Sequence, residues 1–238
     1  MSDVKVLFCI GARGGSKGFK NKNIGIINGK PLIAWSIEQA LASKYCDQVV
    51  VSTDSKEIAD VAKLHGAVVP FLRPAHLAND TAGKWDVWQH ALTACEEIFK
   101  MKYDLYIDLD CTSPLRDTAD INKVIEMHLS SEVDAVFTVC EARKNPYFNL
   151  VEPNSNGYLK ISKVLDAPIL CRQAAPPVYE HVASIYALSP AYIRTGSGLL
   201  FGRTVGYDIG VRKSLDLDSA FDKELIEYLM LREESNDD

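Results

Sequence analysis

The chain has 238 residues, with 26 lysines and arginines against 32 aspartates and glutamates and a net charge of −6. A length of this order buries a sizeable core, as one large domain or one domain with an appendage. The acidic balance excludes general nucleic-acid binding, which needs a broad basic face, and no apolar run approaches the ~18 residues of a membrane span.

The first element is Val4-Lys5-Val6-Leu7-Phe8-Cys9-Ile10, a nearly continuous apolar run that reads as a buried central strand. The loop after it, Gly11-Ala12-Arg13-Gly14-Gly15-Ser16-Lys17-Gly18 with Lys22-Asn23, combines glycines with cations. Glycine lets backbone N–H groups converge on an anion while Arg13, Lys17 and Lys22 add charge, so the loop suits a polyphosphate. A flexible basic loop without a ligand is the competing reading. The pattern is not a Walker A loop, which ends in Gly-Lys-Ser/Thr, and lacks the Gly-x-Gly-x-x-Gly of dinucleotide sites. Gly14-x-Ser16-x-Gly18 formally matches a hydrolase nucleophile elbow, but lysines and asparagines follow where a helix must start.

Pro31 to Ser43 shows helical spacing with proline at the first turn, and Gln48 to Ser52 is a short apolar strand. Thr53-Asp54-Ser55 caps a helix through Ile58, Val61 and Leu64 that Gly66 ends. A loop from Arg73 to Thr81 precedes an amphipathic helix from Lys84 to Lys100, whose Trp85 and Trp88 read as core. Leu105 to Leu109 is a strand, with Asp110-Cys111-Thr112-Ser113-Pro114-Leu115-Arg116 at its C-terminal end, where open α/β sheets bind ligands. A helix through Ile121, Val124 and Ile125 and a strand from Asp134 to Val139 follow. The alternation predicts an α/β fold with a mostly parallel sheet.

From Arg143 the texture changes to short segments punctuated by Pro146, Pro153, Pro176 and Pro177. Residues 141–180 read as an extended, hairpin-built insertion between core segments 1–140 and 181–238. The chain re-enters the core through Ser184 to Leu188. Near the end, Ser214-Leu215-Asp216-Leu217-Asp218 places two aspartates on one face of an extended segment, roughly 7 Å apart at Cα and able to share a hard cation. Capping of the final helix is the alternative.

Six cysteines are spread singly, with no Cys-x-x-Cys pair, and read as free thiols of a reducing compartment. The N-terminus carries no secretory pattern, so the expected location is the cytoplasm.

A basic loop at the first turn of a sheet, with a distant pair of carboxylates, is what nucleotidyl transfer requires: phosphates held, charge neutralised, no protein nucleophile. The motifs Ala12 to Gly18 with Lys22-Asn23, Ser52-Thr53-Asp54, Leu77-Ala78-Asn79-Asp80-Thr81, Thr112 to Arg116, Arg172-Gln173, Ser184-Ile185-Tyr186 and Leu215 to Asp218 occur in this order. Together they resemble the cytidylyltransferases that activate nine-carbon 2-keto-3-deoxy sugar acids, over nearly the whole chain and closest to the legionaminate branch. The resemblance implies a Rossmann-like three-layer α/β core and the reaction of CTP with the sugar acid to give CMP-sugar and diphosphate.

It also implies roles. Arg13 and Lys17, with Lys22, would hold the triphosphate, assisted by Ala12, Gly14, Ser16 and Asn23. Asp216 and Asp218 would hold Mg²⁺, and Asn79, Asp80, Thr81 and Lys84 would lie near the cytosine. Arg172, Gln173, Arg143, Tyr147, Asp110 and Ser184 would face the sugar acid, and the insertion would form a homodimer. Sialate enzymes of this family carry Gln before Pro-Thr-Ser-Pro-Leu-Arg and Asn in Asn-Gly-Ala-Ile-Tyr, where this chain has Asp110-Cys111 and Val182-Ala183-Ser184. An acceptor-only Asp110 favours a ligand that donates, and Val182 removes a partner for a hydroxyl; both predict a diacetamido sugar of the legionaminic type. Asp110 as a second Mg²⁺ ligand is the alternative. Further alternatives are an eight-carbon sugar-acid cytidylyltransferase, which has arginine at the position of Lys17, a serine hydrolase using Ser16, and a non-catalytic nucleotide binder.

Overall fold

The computed structural model describes residues 4–15 and 21–234. Strand β1 (Val6–Gly11) is followed by the short pair β2 (Ile26–Ile27) and β3 (Lys30–Pro31), then α1 (Leu32–Leu41), β4 (Val49–Ser52) and α2 (Lys56–Leu64). Next come α3 (Lys84–Phe99), β5 (Leu105–Leu109), α4 (Thr118–Leu129) and β6 (Ala135–Glu141). A hairpin of β7 (Val151–Pro153) and β8 (Leu159–Ile161) leads to β9 (Tyr179–Leu188), α5 (Pro190–Thr195), β10 (Thr204–Asp208) and α6 (Ala220–Glu234).

The main sheet has the order β10-β6-β9-β5-β1-β4. Strand β1 runs parallel to β4 and β5, and β10 parallel to β6. Strand β9 is reversed, antiparallel to both β5 and β6. The expectation of a mostly parallel sheet therefore holds with one central exception. Leaving the core at Glu141 and returning at Tyr179, the chain re-enters at the same end of the sheet, so the returning strand must run backwards.

Successive side chains of a strand point to opposite faces, and in β1 both faces are apolar. Phe8 and Ile10 join the larger core cluster with residues of α1, α2, α4 and α6, whereas Leu7 and Cys9 join a second cluster with Trp88, Leu92 and Cys95 of α3 and Ile193 of α5. The result is three layers. Strand β9 carries an irregularity: Phe137 faces Tyr186, but Val139 faces His181. Thr138 fills the break, its hydroxyl donating to Val182 O at 2.8 Å and accepting from Ile185 N at 3.0 Å. Bulges of this kind re-aim side chains beside functional sites.

Candidate functional site

Beyond the C-terminal ends of β1 and β5 lies a cavity of about 340 Å³. Its rim begins where β1 ends. Ala12 is buried and its N–H donates to Ser52 O at 3.0 Å, while the Gly14 N–H donates to Asp54 Oδ1 at 2.8 Å. Arg13 donates to Asn79 O at 3.1 Å and Asp80 Oδ1 at 2.9 Å, and Asn23 donates to Arg13 O at 3.0 Å. Arg13, Lys22, Asn23, Asn79, Asp80, Lys84 and Asp110 all border the cavity, so residues distant in the chain and expected at one site are brought together. Thr81 instead donates its N–H and hydroxyl to Asn79 Oδ1, each at 2.9 Å, and supports the turn. Ser16 and Lys17 lie outside the described residues.

Deep in the cavity is a cation the sequence reading did not single out. Arg73, only 8% exposed, donates from Nε to Ser52 Oγ at 3.1 Å and from Nη2 to Ser52 O at 2.6 Å. Burial lowers its pKa. A Cβ at Gly11 would stand 3.2 Å from Arg73 Nη2, so the missing side chain there lets strand and guanidinium approach.

Two carboxylate pairs serve the site. Asp108 lies on β5 and Asp110 just past its end, and Lys84, the first residue of α3, pairs with both, 3.0 Å from Asp108 and in contact with Asp110. Burial opposes the Lys84 charge, yet the two carboxylates outweigh it and hold the ammonium above the ordinary lysine pKa. Burial raises the Asp108 carboxyl and Lys84 opposes the rise. Lys84 was expected near a base and Asp110 facing the sugar acid; both border the cavity, and each has the other as a partner, because a buried carboxylate needs a counter-charge.

The second pair is Asp216 and Asp218, on an extended segment pinned by buried Leu217, whose N–H donates to Thr112 O at 2.9 Å. Asp218 is exposed and accepts from Lys22 Nζ at 2.9 Å. Asp216 Oδ1 is buried without a hydrogen-bond partner. Burial lifts this carboxyl above its ordinary value; Thr112 opposes the rise, and Asp218 adds to it. A buried, unpaired carboxylate oxygen beside a second carboxylate fits a hard divalent cation, with remaining ligands from water and phosphate. Among the described residues no three His, Cys, Asp or Glu side chains form a complete metal cluster.

The turn between these pairs is held from below. Fully buried Arg116 donates to Asp110 O and Ser113 O, both at 2.7 Å, and to Ser36 Oγ at 2.5 Å; burial lowers its pKa to about 10. Gln39 donates to Pro114 O at 2.8 Å and Arg116 O at 2.7 Å.

The remaining expected substrate residues lie elsewhere. Ser184 is buried opposite the Asp110 end of β5, its carbonyl accepting from Asp110 N at 2.9 Å and its hydroxyl unpartnered. Arg172 and Gln173 line a separate cavity of about 520 Å³ at the base of the insertion, and Tyr147 lines another within it. Arg143 is exposed, its N–H donating to Glu180 Oε1 at 3.0 Å. None of these five borders the Arg13 cavity within one copy of the chain. Val182 is buried in the larger apolar cluster rather than bordering that cavity, so the selectivity argument rests on Asp110.

The cytidylyltransferase family model matches residues 7–186. The chain belongs to the cytidylyltransferase family. This cytidylyltransferase is 43% identical over 227 residues to CMP-N,N'-diacetyllegionaminic acid synthase of Campylobacter jejuni, covering 95% of each chain. It is 42% identical over 231 residues to the post-translational flagellin modification protein B of Campylobacter coli, covering 97% of this chain and 96% of that one. Among solved structures it is similar to a CMP:2-keto-3-deoxy-manno-octonic acid synthetase complexed with CTP, with a TM-score of 0.72 and 18% identity over 96% of this chain and 99% of the other. At that identity the likeness concerns the fold.

Two residues that line the cavity, Arg73 and Asp108, were missed from sequence. A signal existed for each: Arg73 stands between Phe71-Leu72 and Pro74, and Asp108 interrupts an apolar strand two residues before Asp110. A charge inside an apolar run is buried with a partner or serves a site.

Proposed function

We propose that this cytidylyltransferase activates a nine-carbon 2-keto-3-deoxy sugar acid of the legionaminic or sialic type, converting CTP and the acid to CMP-sugar and diphosphate. The observation that carries the reading is one cavity bringing the cations Arg13, Lys22 and Arg73 to within reach of the Asp216–Asp218 pair, which reaches the same cavity through Lys22 and Thr112. The names of the relatives supply the acceptor class.

Arg13 and Lys22, with Lys17, hold the triphosphate, and the loop N–H groups add to the cradle. Arg73 presents N–H donors in the floor, suited to the acceptor edge of a cytosine. Asp216 and Asp218 hold Mg²⁺, which when bound neutralises phosphate charge. The anomeric 2-hydroxyl forms a bond to the α-phosphorus, the bond from that phosphorus to the bridging oxygen breaks, diphosphate leaves, and the hydroxyl proton passes to solvent. Asp110 accepts from an N–H of the sugar, which favours a diacetamido acid over N-acetylneuraminate. Exposed apolar residues of the insertion, Leu159, Val164 and Leu170 among them, support a homodimer. Cysteines that are all free support a reducing, cytoplasmic setting, and among the described residues no helix is long and apolar enough to cross a membrane.

Diphosphate release from CTP against a panel of sugar acids tests the reading. Release with a diacetamido nonulosonic acid is expected, and release only with an eight-carbon acid overturns the acceptor. CTP binding without release with any acid makes the protein a non-catalytic binder, and labelling of Ser16 by a fluorophosphonate points to a hydrolase.

A further inference from the structure

The segment that carries Asp216 and Asp218 leaves the edge of the sheet after β10, makes a single 3-10 turn at Val211–Ser214 and runs on towards α6. On one side of Asp216 it is fixed by the Leu217 N–H on Thr112 O at 2.9 Å. On the other side it is fixed by Lys213, whose Nζ donates to Asp117 Oδ2 and to Asp120 Oδ2, each at 2.6 Å. Asp120 is itself immobilised. Its side chain is 7% exposed, and the Tyr207 hydroxyl of β10 donates to its Oδ1 at 2.9 Å, leaving Oδ2 for the lysine.

A lysine beside two aspartates at a helix start could serve the helix alone. Here the helix is already served. Asp117 and Asp120 form a capping box at the start of α4: the Asp120 N–H donates to Asp117 Oδ1 at 2.8 Å, and the Asp117 N–H donates to Asp120 Oδ2 at 3.0 Å. The box is complete without a cation, and the positive end of the helix dipole favours both carboxylates. What Lys213 adds is a tie between α4 and the segment of Asp216. Both ties of that segment end on one stretch, Thr112 to Asp120, which Arg116 holds from below through the Asp110 and Ser113 carbonyls. Asp216 therefore sits between two points fixed to the same rigid turn. Mg²⁺ demands near-ideal octahedral geometry, and a carboxylate held on one side only must be ordered as the ion arrives, which subtracts from the binding free energy.

We propose that Lys213 is a positioning residue for the metal pair: through Asp117 and Asp120 it sets, together with Leu217, where the Asp216 carboxylate stands before the cation binds. The proposal rests on the reading of Asp216 and Asp218 as Mg²⁺ ligands. Lys213 acts through Asp216.

The test needs no turnover. CTP is titrated calorimetrically into the protein with and without Mn²⁺, a hard octahedral stand-in for Mg²⁺, and the gain in CTP affinity brought by the metal measures the pair. In Lys213→Met that gain is expected to fall about tenfold, the low end of losses from outer-shell changes, while metal-free CTP affinity stays within about twofold of wild type. Lys213→Arg keeps the charge and can span both carboxylates, so it is expected to retain most of the gain. Asp117→Asn keeps a competent N-cap and removes one ionic partner of Lys213; a smaller loss in the same direction is expected there, which keeps the test open should Lys213→Met fold poorly. A gain equal to wild type in both Lys213→Met and Asp117→Asn overturns the positioning role, and so does a fall in metal-free CTP affinity as large as the fall with Mn²⁺, which makes Lys213 a support of the fold alone. Wild-type protein whose CTP affinity does not respond to Mn²⁺ overturns the metal reading beneath the proposal.

Discussion

The molecule contains two Asp-x-Asp pairs beside one cavity, and they have opposite fates. In Asp108–Asp110 the carboxylates lie at the end of a central strand and just past it, and receive Lys84 from the start of α3. In Asp216–Asp218 the same spacing sits on an extended segment near the C-terminus, where Lys22 reaches Asp218 and one oxygen of Asp216 is left unpaired. Spacing alone does not define a metal site. A protein cation already delivered to a pair satisfies it, and the pair left short of positive charge is the one we propose for an external ion.

The comparison is broken most severely at its open end. Asp216→Asn is expected to lower kcat/KM at limiting Mg²⁺ by about 1000-fold, beyond the 10- to 100-fold typical of an outer-shell change. Turnover near wild type under those conditions would remove Asp216 from the metal site.

Both pairs depend on one turn, since Arg116 fastens the Asp110 carbonyl and Thr112 receives Leu217. Arg116→Met strips partners from buried carbonyls and is expected to cost about 3 kcal/mol in denaturant unfolding. A loss below about 1 kcal/mol would show that the turn holds itself.

Lys84→Met converts the closed pair into an open one. The expected destabilisation is about 2 kcal/mol, after discounting a side chain more than a third exposed, and added Mg²⁺ should recover part of the lost melting temperature. Mg²⁺ that raises the melting temperature of wild type and variant equally would contradict the exchange of one cation for another. The smallest effect belongs to Asp218→Asn. Its partner Lys22 is held at an exposed carboxylate, 73% accessible, so stability should change by less than about 1 kcal/mol while the Mg²⁺ concentration for half-maximal turnover rises. A large loss of stability would assign Asp218 to the scaffold.

The elements that border the Arg13 cavity were legible in the sequence. The first strand is an uninterrupted apolar run, the glycine and cation loop follows at once, and Asp216 and Asp218 alternate with leucines that must be buried. These are local signals. What was not legible depends on register and on contacts across the chain. The pairing of Lys84 with Asp108 and Asp110 spans two elements, and nothing in either segment announces it. The reversal of β9 was equally hidden, because an apolar run reads the same in both directions. Val182 looked like a site residue by its place in a motif, but the bulge turns it into the core.

That reversed strand also sets an order of events during synthesis. Strands β5 and β6 are neighbours in the chain, but in the finished sheet β9 lies between them and pairs with both. Until residues 179–188 emerge, nearly forty residues after Glu141, each of those apolar strands has a raw edge with unpaired backbone groups. The last central strand to be made is thus the one that seals the interior, a contact of long sequence separation and slow formation. The nascent chain is most exposed to edge-to-edge aggregation while the insertion is being translated, which makes residues 141–180 a timing element as well as a structural one.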